Sequence, residues 1–261
     1  MTLNEEGQKA AARPRKKIGF IVAAILLGLI AVYAILGAIF WKIGMPAFMF
    51  GYKKNDWGGI TITDYYGTYL HVHVPDKIDG LEVTEIGRLS FSDDFGGKTD
   101  FHRSICRNIR EVRLPDSIDE IDDYAFFLCK NLKKINLPDG LKWIGENAFL
   151  ETALSNVTLP DSIEVIGDSA FAYCKDLKEV NLPDGLKRIN TGVFYESGLS
   201  KITLPDSINV IDDIAFSGCH NLKEINVPDG LMGVSSYAFN ETGLSDEQKQ
   251  AFFDKAEEVT E

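Results

Sequence analysis

Histidine and cysteine are scarce in this 261-residue chain, with four of each. His71, His73, His102 and His220 have no carboxylate or thiol at metal-ligand spacing, so no metal signature forms. Four cysteines are too few for the disulfide framework of a small secreted scaffold. A nucleophile motif, a phosphate loop and a paired histidine and carboxylate are all missing. The chain therefore reads as non-enzymatic, with no catalytic residue, cofactor or metal.

Basic residues are also short, at 27 Lys and Arg against 39 Asp and Glu. Residues 1–43 hold six of the basic and two of the acidic side chains, leaving 21 against 37, a net −16, for the remainder. That balance excludes nucleic-acid binding by phosphate neutralisation. An acidic body of this kind is also expected not to lie flat on anionic lipid.

Charge is absent altogether from Ile18 to Trp41, IGFIVAAILLGLIAVYAILGAIFW, a run of 24 residues. At about 1.5 Å per residue this helix would reach roughly 36 Å, more than a hydrocarbon core about 30 Å thick. Residues 18–41 are expected to be a transmembrane helix. The run exceeds the apolar core of a signal peptide and lacks an evident small-residue cleavage site, so it reads as an uncleaved anchor. Lys9, Arg13, Arg15, Lys16 and Lys17 precede it, and Lys42, Lys53 and Lys54 follow. Residues 1–17 are then a cytoplasmic basic tail, and the rest of the chain lies outside.

Residues 42–59 read as a juxtamembrane linker whose Phe48, Phe50, Tyr52 and Trp57 join Trp41 in an interfacial belt. Ile60 to Val74, ITITDYYGTYLHVHV, shows two alternating runs around DYYG, the pattern of a hairpin. Such a hairpin would cover the edge of whatever follows. His71 and His73 share a face of its second strand and read as exposed polar residues.

What the chain has in quantity is a repeat. Copies of Leu132–Phe149, LKKINLPDGLKWIGENAF, align on Pro115, Pro138, Pro160, Pro183, Pro205 and Pro228, at intervals of 23, 22, 23, 22 and 23. A phenylalanine stands eleven residues after each proline, at Phe126, Phe149, Phe171, Phe194, Phe216 and Phe239. An irregular first copy starts at Pro75. Within a copy, Ile135 and Leu137 alternate as in a half-buried strand, proline ends it, and Asp-Gly or Asp-Ser suits a tight turn. Leu141, Ile144 and Phe149 return inward, and Ala148 is small enough to let successive phenylalanines stack. After Leu244 the repeat stops, and Ser245 to Gln248 opens a capping helix over residues 246–261, with Phe252, Ala256 and Val259 on one face.

The LxxLxL strand, the LPDG or LPDS turn, the Ala-Phe pair and the alternating coil length resemble the leucine-rich repeats, and most closely the BspA-like bacterial class. The likeness covers residues 60–245. It implies a solenoid of about seven coils, each a β-strand plus an irregular return, with an N-terminal hairpin cap and a C-terminal helix cap. It also implies a bacterial surface or secreted protein that binds extracellular or host molecules. One departure stands out: the asparagine or cysteine expected three residues after the last strand leucine is Ser117, Gly140, Ser162, Gly185, Ser207 or Gly230. No asparagine ladder can form at that position.

Candidate sites follow from the register. Cys106, Cys129, Cys174 and Cys219 each stand nine residues before the next proline. The last three are two coils apart, about 9.6 Å at strand spacing, beyond disulfide reach; only Cys106 and Cys129 could bridge, and a buried thiol stack is expected. The strand face has two polar columns, one with Glu111, Lys134 and Glu179, the other with Arg113, Asn136 and Asn181. The non-repeating insertion from Ser92 to Arg103 reads first as a tolerated loop, but because the columns repeat, it is the stronger candidate for specificity if one place binds a ligand. There Asp93, Asp94 and Asp100 can meet a basic partner, and Phe95 and Phe101 can anchor. Two functions fit: a membrane-anchored adhesion or binding module for an extracellular or envelope protein, and a structural spacer of an envelope complex.

Overall fold

The computed structural model describes residues 5–92 and 106–258, with side chains over 22–92 and 106–257. The chain begins as α1 (Glu5–Ile43), whose apolar part, Val22–Ile43, has a mean hydropathy of 2.7 and is long enough to cross a membrane. The helix stops at Gly44, which takes φ +92°, a left-handed cap that a side chain would strain.

Two antiparallel strands follow, β1 (Phe50–Lys54) and β2 (Ile60–Tyr65). Their turn is held by Asn55, whose Oδ1 accepts from the Trp57 and Gly59 amides at 3.2 and 2.8 Å. The amino-terminal hairpin is thus Phe50–Tyr65, not Ile60–Val74 as the alternation suggested. Part of the stretch expected to be a linker is this first strand. The second alternating run is β3 (His71–His73), which joins a different sheet. After it, β4 (Lys77–Ile78) pairs antiparallel with β5 (Leu81–Ile86), and β5 lies parallel beside β2.

From there each coil supplies two short strands. They run as β6 (Glu111–Arg113), β7 (Glu120–Ile121), β8 (Lys134–Ile135), β9 (Trp143–Ile144), β10 (Asn156–Thr158) and β11 (Val165–Ile166). The series continues with β12 (Glu179–Asn181), β13 (Arg188–Ile189), β14 (Lys201–Ile202), β15 (Val210–Ile211), β16 (Glu224–Ile225) and β17 (Gly233–Val234). The even-numbered strands continue the ladder begun by β3 and form the front face; the odd-numbered ones continue from β5 and form a second face. The return is therefore more regular than expected, because Ile121, Ile144, Ile166, Ile189 and Ile211 make a buried column of their own.

Between the faces lies the ring stack. Tyr65, Phe91, Phe126, Phe149, Phe171, Phe194, Phe216 and Phe239 are buried, with successive centroids 5.0 to 6.0 Å apart. Phe50 closes one end, 5.5 Å from Tyr65, and Phe252 closes the other, 4.6 Å from Phe239. Phe50 is thereby a core residue, although its sequence position suggested a membrane belt. Residues two before and two after the ring take positive φ in successive coils, as at Asn147 (54°) and Glu151 (58°), and Ser169 (55°) and Tyr173 (58°). This costly backbone turns alternate amides toward the next coil: Asn147, Phe149 and Glu151 donate to Asp168, Ala170 and Ala172 at 2.9 Å each.

Helix α2 (Asp246–Glu258) caps the last coil. The capping box forms as expected, with Gln248 N donating to Ser245 Oγ at 3.2 Å and Ser245 N donating to Gln248 Oε1 at 2.9 Å. Val259, expected on its apolar face, lies outside the described residues.

Phe171→Ala removes a ring that has neighbours on both sides, and should cost about 3 to 5 kcal/mol. Urea unfolding should show a lower midpoint and a broader transition, because nearest-neighbour coupling is interrupted there. An unchanged midpoint would contradict the ring's structural role.

Candidate binding face

On the front face, every second strand residue points inward (Val72, Val112, Val157, Val180, Ile202) and its neighbours point out. The outward columns are those expected from the sequence, but their two halves behave differently. Asn136 Oδ1 accepts from the Leu114 amide at 2.7 Å, and its Nδ2 donates to the Leu114 carbonyl at 2.9 Å. Asn181 clasps Leu159 in the same way at 3.0 and 2.9 Å, and Asn226 clasps Leu204 at 2.8 and 2.8 Å. An asparagine ladder therefore exists, one residue before the last strand leucine and in alternate coils. It satisfies backbone groups where proline ends the strand. Asn136 and Asn181, which the sequence offers as partner-contacting residues, hold neighbouring coils together.

Glu111, Arg113 and Lys134 line an open hollow of about 750 Å³ that also meets Trp41, Lys42 and Ile43 of α1. Glu179 and Asn181 line a second one of about 570 Å³, with Asn156, Thr158, Lys201 and Thr203. The strand-face candidates thus fall into two hollows, a mainly polar one beside the helix and one of mixed character in mid-array. Glu111 stands 4.0 Å from His71, and Lys201 pairs with Glu224 at 3.1 Å. Asp93, Asp94, Phe95, Asp100 and Phe101 lie outside the described residues. Ser92, expected to open that loop, is buried.

The two histidines of β3 separate. His71 is exposed, whereas His73 is buried, and its Nδ1 lies 2.9 Å from the Trp41 carbonyl at the end of α1. His73 is therefore a helix-end contact, which an alternating strand pattern could not reveal. Among the described residues no group of three His, Cys, Asp or Glu is placed to hold a metal ion.

The four cysteines are buried. Cys129, Cys174 and Cys219 donate to the carbonyls of Phe91, Phe149 and Phe194 at 3.1, 3.2 and 3.0 Å. In alternate coils the same position is a hydroxyl: Thr152 lies 3.3 Å from Cys174, and Ser197 lies 3.2 Å from Cys219. Burial pushes the Cys174 and Cys219 thiols up to about 11. On the second face, burial and the carboxylates of Glu85, Asp122, Asp119 and Asp123 raise Glu120 above the ordinary glutamate range.

A strand, a tight turn and a short-strand return in 22 or 23 residues, stacked around a ring column, define a leucine-rich-repeat solenoid. The chain belongs to the BspA type leucine rich repeat region family, which matches residues 97–213 and 187–251 in six copies. It is similar to the T. pallidum leucine-rich repeat protein TpLRR, at 32% identity, covering 81% of this chain and 95% of that one with a TM-score of 0.71. A Bacteroides ovatus leucine-rich repeat protein is 26% identical over 76% of this chain, which spans just over half (56%) of that one, at a TM-score of 0.56. The pneumococcal vaccine antigen PcpA shares the fold at 24% identity, with 70% of this chain and 49% of that one covered and a TM-score of 0.54. No match was found among curated proteins.

Two outcomes follow from the clasps and thiols. Asn181→Ala leaves the Leu159 amide and carbonyl without their partner and should lower thermal stability by about 1 to 3 kcal/mol, whereas the neighbouring Thr203→Ala should change little. The buried thiols have folded pKa values raised above their unfolded value of about 9, so their contribution is complete below that pH. It should fall as pH rises from about 9 to about 11, because the unfolded chain releases those protons first. Cys174→Ser with Cys219→Ser should flatten that part of the pH–stability curve.

Proposed function

We propose that this protein is a membrane-anchored surface module that binds another protein through its front face and the 93–103 insertion. The observation that carries this reading is the face itself. Its inward column is closed by the core, while its outward side is left as two open hollows, a mainly polar one lined by Glu111, Arg113 and Lys134 and a mixed one lined by Glu179, Lys201 and Thr203. Leucine-rich repeat scaffolds of this family are generally binding or adhesion proteins rather than enzymes, and the apolar α1 supplies an anchor of sufficient length. The basic residues before α1 support an external repeat domain.

A second reading is a spacer within an envelope complex. The asparagine clasps favour it, since they give half of one outward column to internal cohesion.

Pull-down from envelope lysate and from extracellular matrix separates the two: capture of envelope proteins alone would remove adhesion. Protease added to intact, wall-stripped cells should degrade the repeats, and protection until lysis would overturn the topology. Replacing residues 93–103 with a short glycine-serine link, keeping buried Ser92, should leave stability nearly unchanged. It should also weaken capture of whichever partner is found. Unaltered affinity would move the specificity to the hollows.

A further inference from the structure

The end of α1 does not stand clear of the repeats. Tyr33 donates its hydroxyl to the Thr68 carbonyl at 2.8 Å and stacks on Tyr69 at 4.5 Å. Phe40 meets Tyr69 at 5.6 Å, and Trp41 meets His71 at 5.8 Å. Gly37 lets the Tyr69 ring approach so closely that a Cβ there would lie 3.0 Å from it. As the helix climbs from residue 33 to 41, its neighbour climbs from 68 to 73. The front-face strands thus run along the helix axis, and because they stack in parallel register, the coils extend sideways from it. If α1 crosses a membrane, the array lies lengthwise along the surface, and the residues just before each front strand face the lipid. Only Ile18–Val32 is left clear of the domain, roughly 22 Å at helical rise, which draws the first coil's Tyr69 and Leu70 into the headgroup layer.

The composition of that lower edge is unlike the protein's average. Backbone hydrogen bonds align its row: Arg110 N to Leu70 O at 2.7 Å, Lys133 N to Arg110 O at 2.9 Å, Lys178 N to Ser155 O, Ser200 N to Lys178 O and Lys223 N to Ser200 O, each at 3.1 Å. Arg110, Lys133, Lys178 and Lys223 are exposed, and among the described residues none is in an ion pair. Lys130 and Lys175, one row earlier, are neutralised by Glu151 and Glu196. Lys178, Ser200, Lys201 and Lys223 also border a hollow of about 530 Å³, with Glu179 and Glu224 on its front-face side. The opposite edge, at the strand-ending prolines, is acidic, with Asp116, Asp139, Asp161, Asp184, Asp206 and Asp229 all exposed.

We propose that this cationic edge rests on anionic phospholipid headgroups, so that the solenoid lies flat along the membrane with its aspartate edge outward. The inference rests on α1 being an anchor. It supersedes the expectation from net charge alone, because a headgroup meets the nearest row of side chains while the far edge is screened.

The test uses the full chain in vesicles of phosphatidylcholine with or without phosphatidylglycerol, a fluorophore on Ser155→Cys or Asp161→Cys, and nitroxide-headgroup lipid as quencher. The two positions occupy opposite ends of one strand, up to roughly 20 Å apart. Quenching should be several-fold stronger at the first position, increase with phosphatidylglycerol, and fall to the level of the second when Lys133, Lys178 and Lys223 are replaced by glutamate. Equal quenching at both positions, or indifference to phosphatidylglycerol and to charge reversal, overturns the proposal while flotation with the vesicles preserves the anchor. A chain that fails to float overturns the anchor and this inference together.

Discussion

Contact between one coil's ring and the next is the condition on which the rest of the molecule depends. A single coil has too little apolar surface to bury its own phenylalanine, so each ring is shielded by its neighbours, and the core exists only as a column. The column in turn fixes where sequence may vary. In the six regular copies the count from proline to phenylalanine is constant, whereas the difference between 22 and 23 residues falls between Cys129 or Thr152 and the next proline. The coil thus adjusts its length on the side away from the stack. The same condition explains the ends, since a terminal ring needs a cover that the repeat cannot supply. Phe50 and Phe252, from a hairpin and a helix, provide it.

The alternating length is more than tolerance, because it coincides with a change of chemistry. In the regular part of the array, long coils carry a cysteine and an asparagine and short coils carry a hydroxyl and a threonine: Cys174 with Asn181, Thr152 with Thr158. The long coil reaches back twice, its thiol to the Phe149 carbonyl and its amide to both backbone groups of Leu159. Both bonds join a long coil to the short one before it. The unit of cohesion is consequently a pair of coils, about 45 residues, superposed on a ring column whose unit is one.

Much of this was legible in the sequence because it is periodic. The ring column, the proline-ended strand, the thiol register and the capping box at Ser245 each rest on residues at fixed local spacing. What escaped depends on partners far along the chain. Asn136 occupies an outward strand position in a polar column, and nothing local distinguishes a clasp from a surface amide; only the 45-residue recurrence of asparagine at that position was available as a signal. Ile60–Val74 alternates well enough for a hairpin, yet β2 finds its partner upstream in a segment whose glycines and aromatics resemble a linker. His73 looked exposed because the covering element, the end of α1, lies 32 residues away.

Net charge hides the arrangement of the charges for a related reason. A sum over residues treats the outer part as a uniformly acidic body, but parallel register sorts side chains by position within the coil. Each coil places an aspartate after its proline, and four of the coils place an arginine or lysine before the front strand, so the register gathers the two signs on opposite edges. A repeat thereby turns a small compositional bias, one cation in some coils, into a row of cations along one edge, interrupted only by Ser155 and Ser200. The helix then decides which row matters. By running parallel to β3 and gripping Tyr69, α1 fixes which edge is turned toward its amino-terminal side, and that edge carries the cations although the whole is acidic.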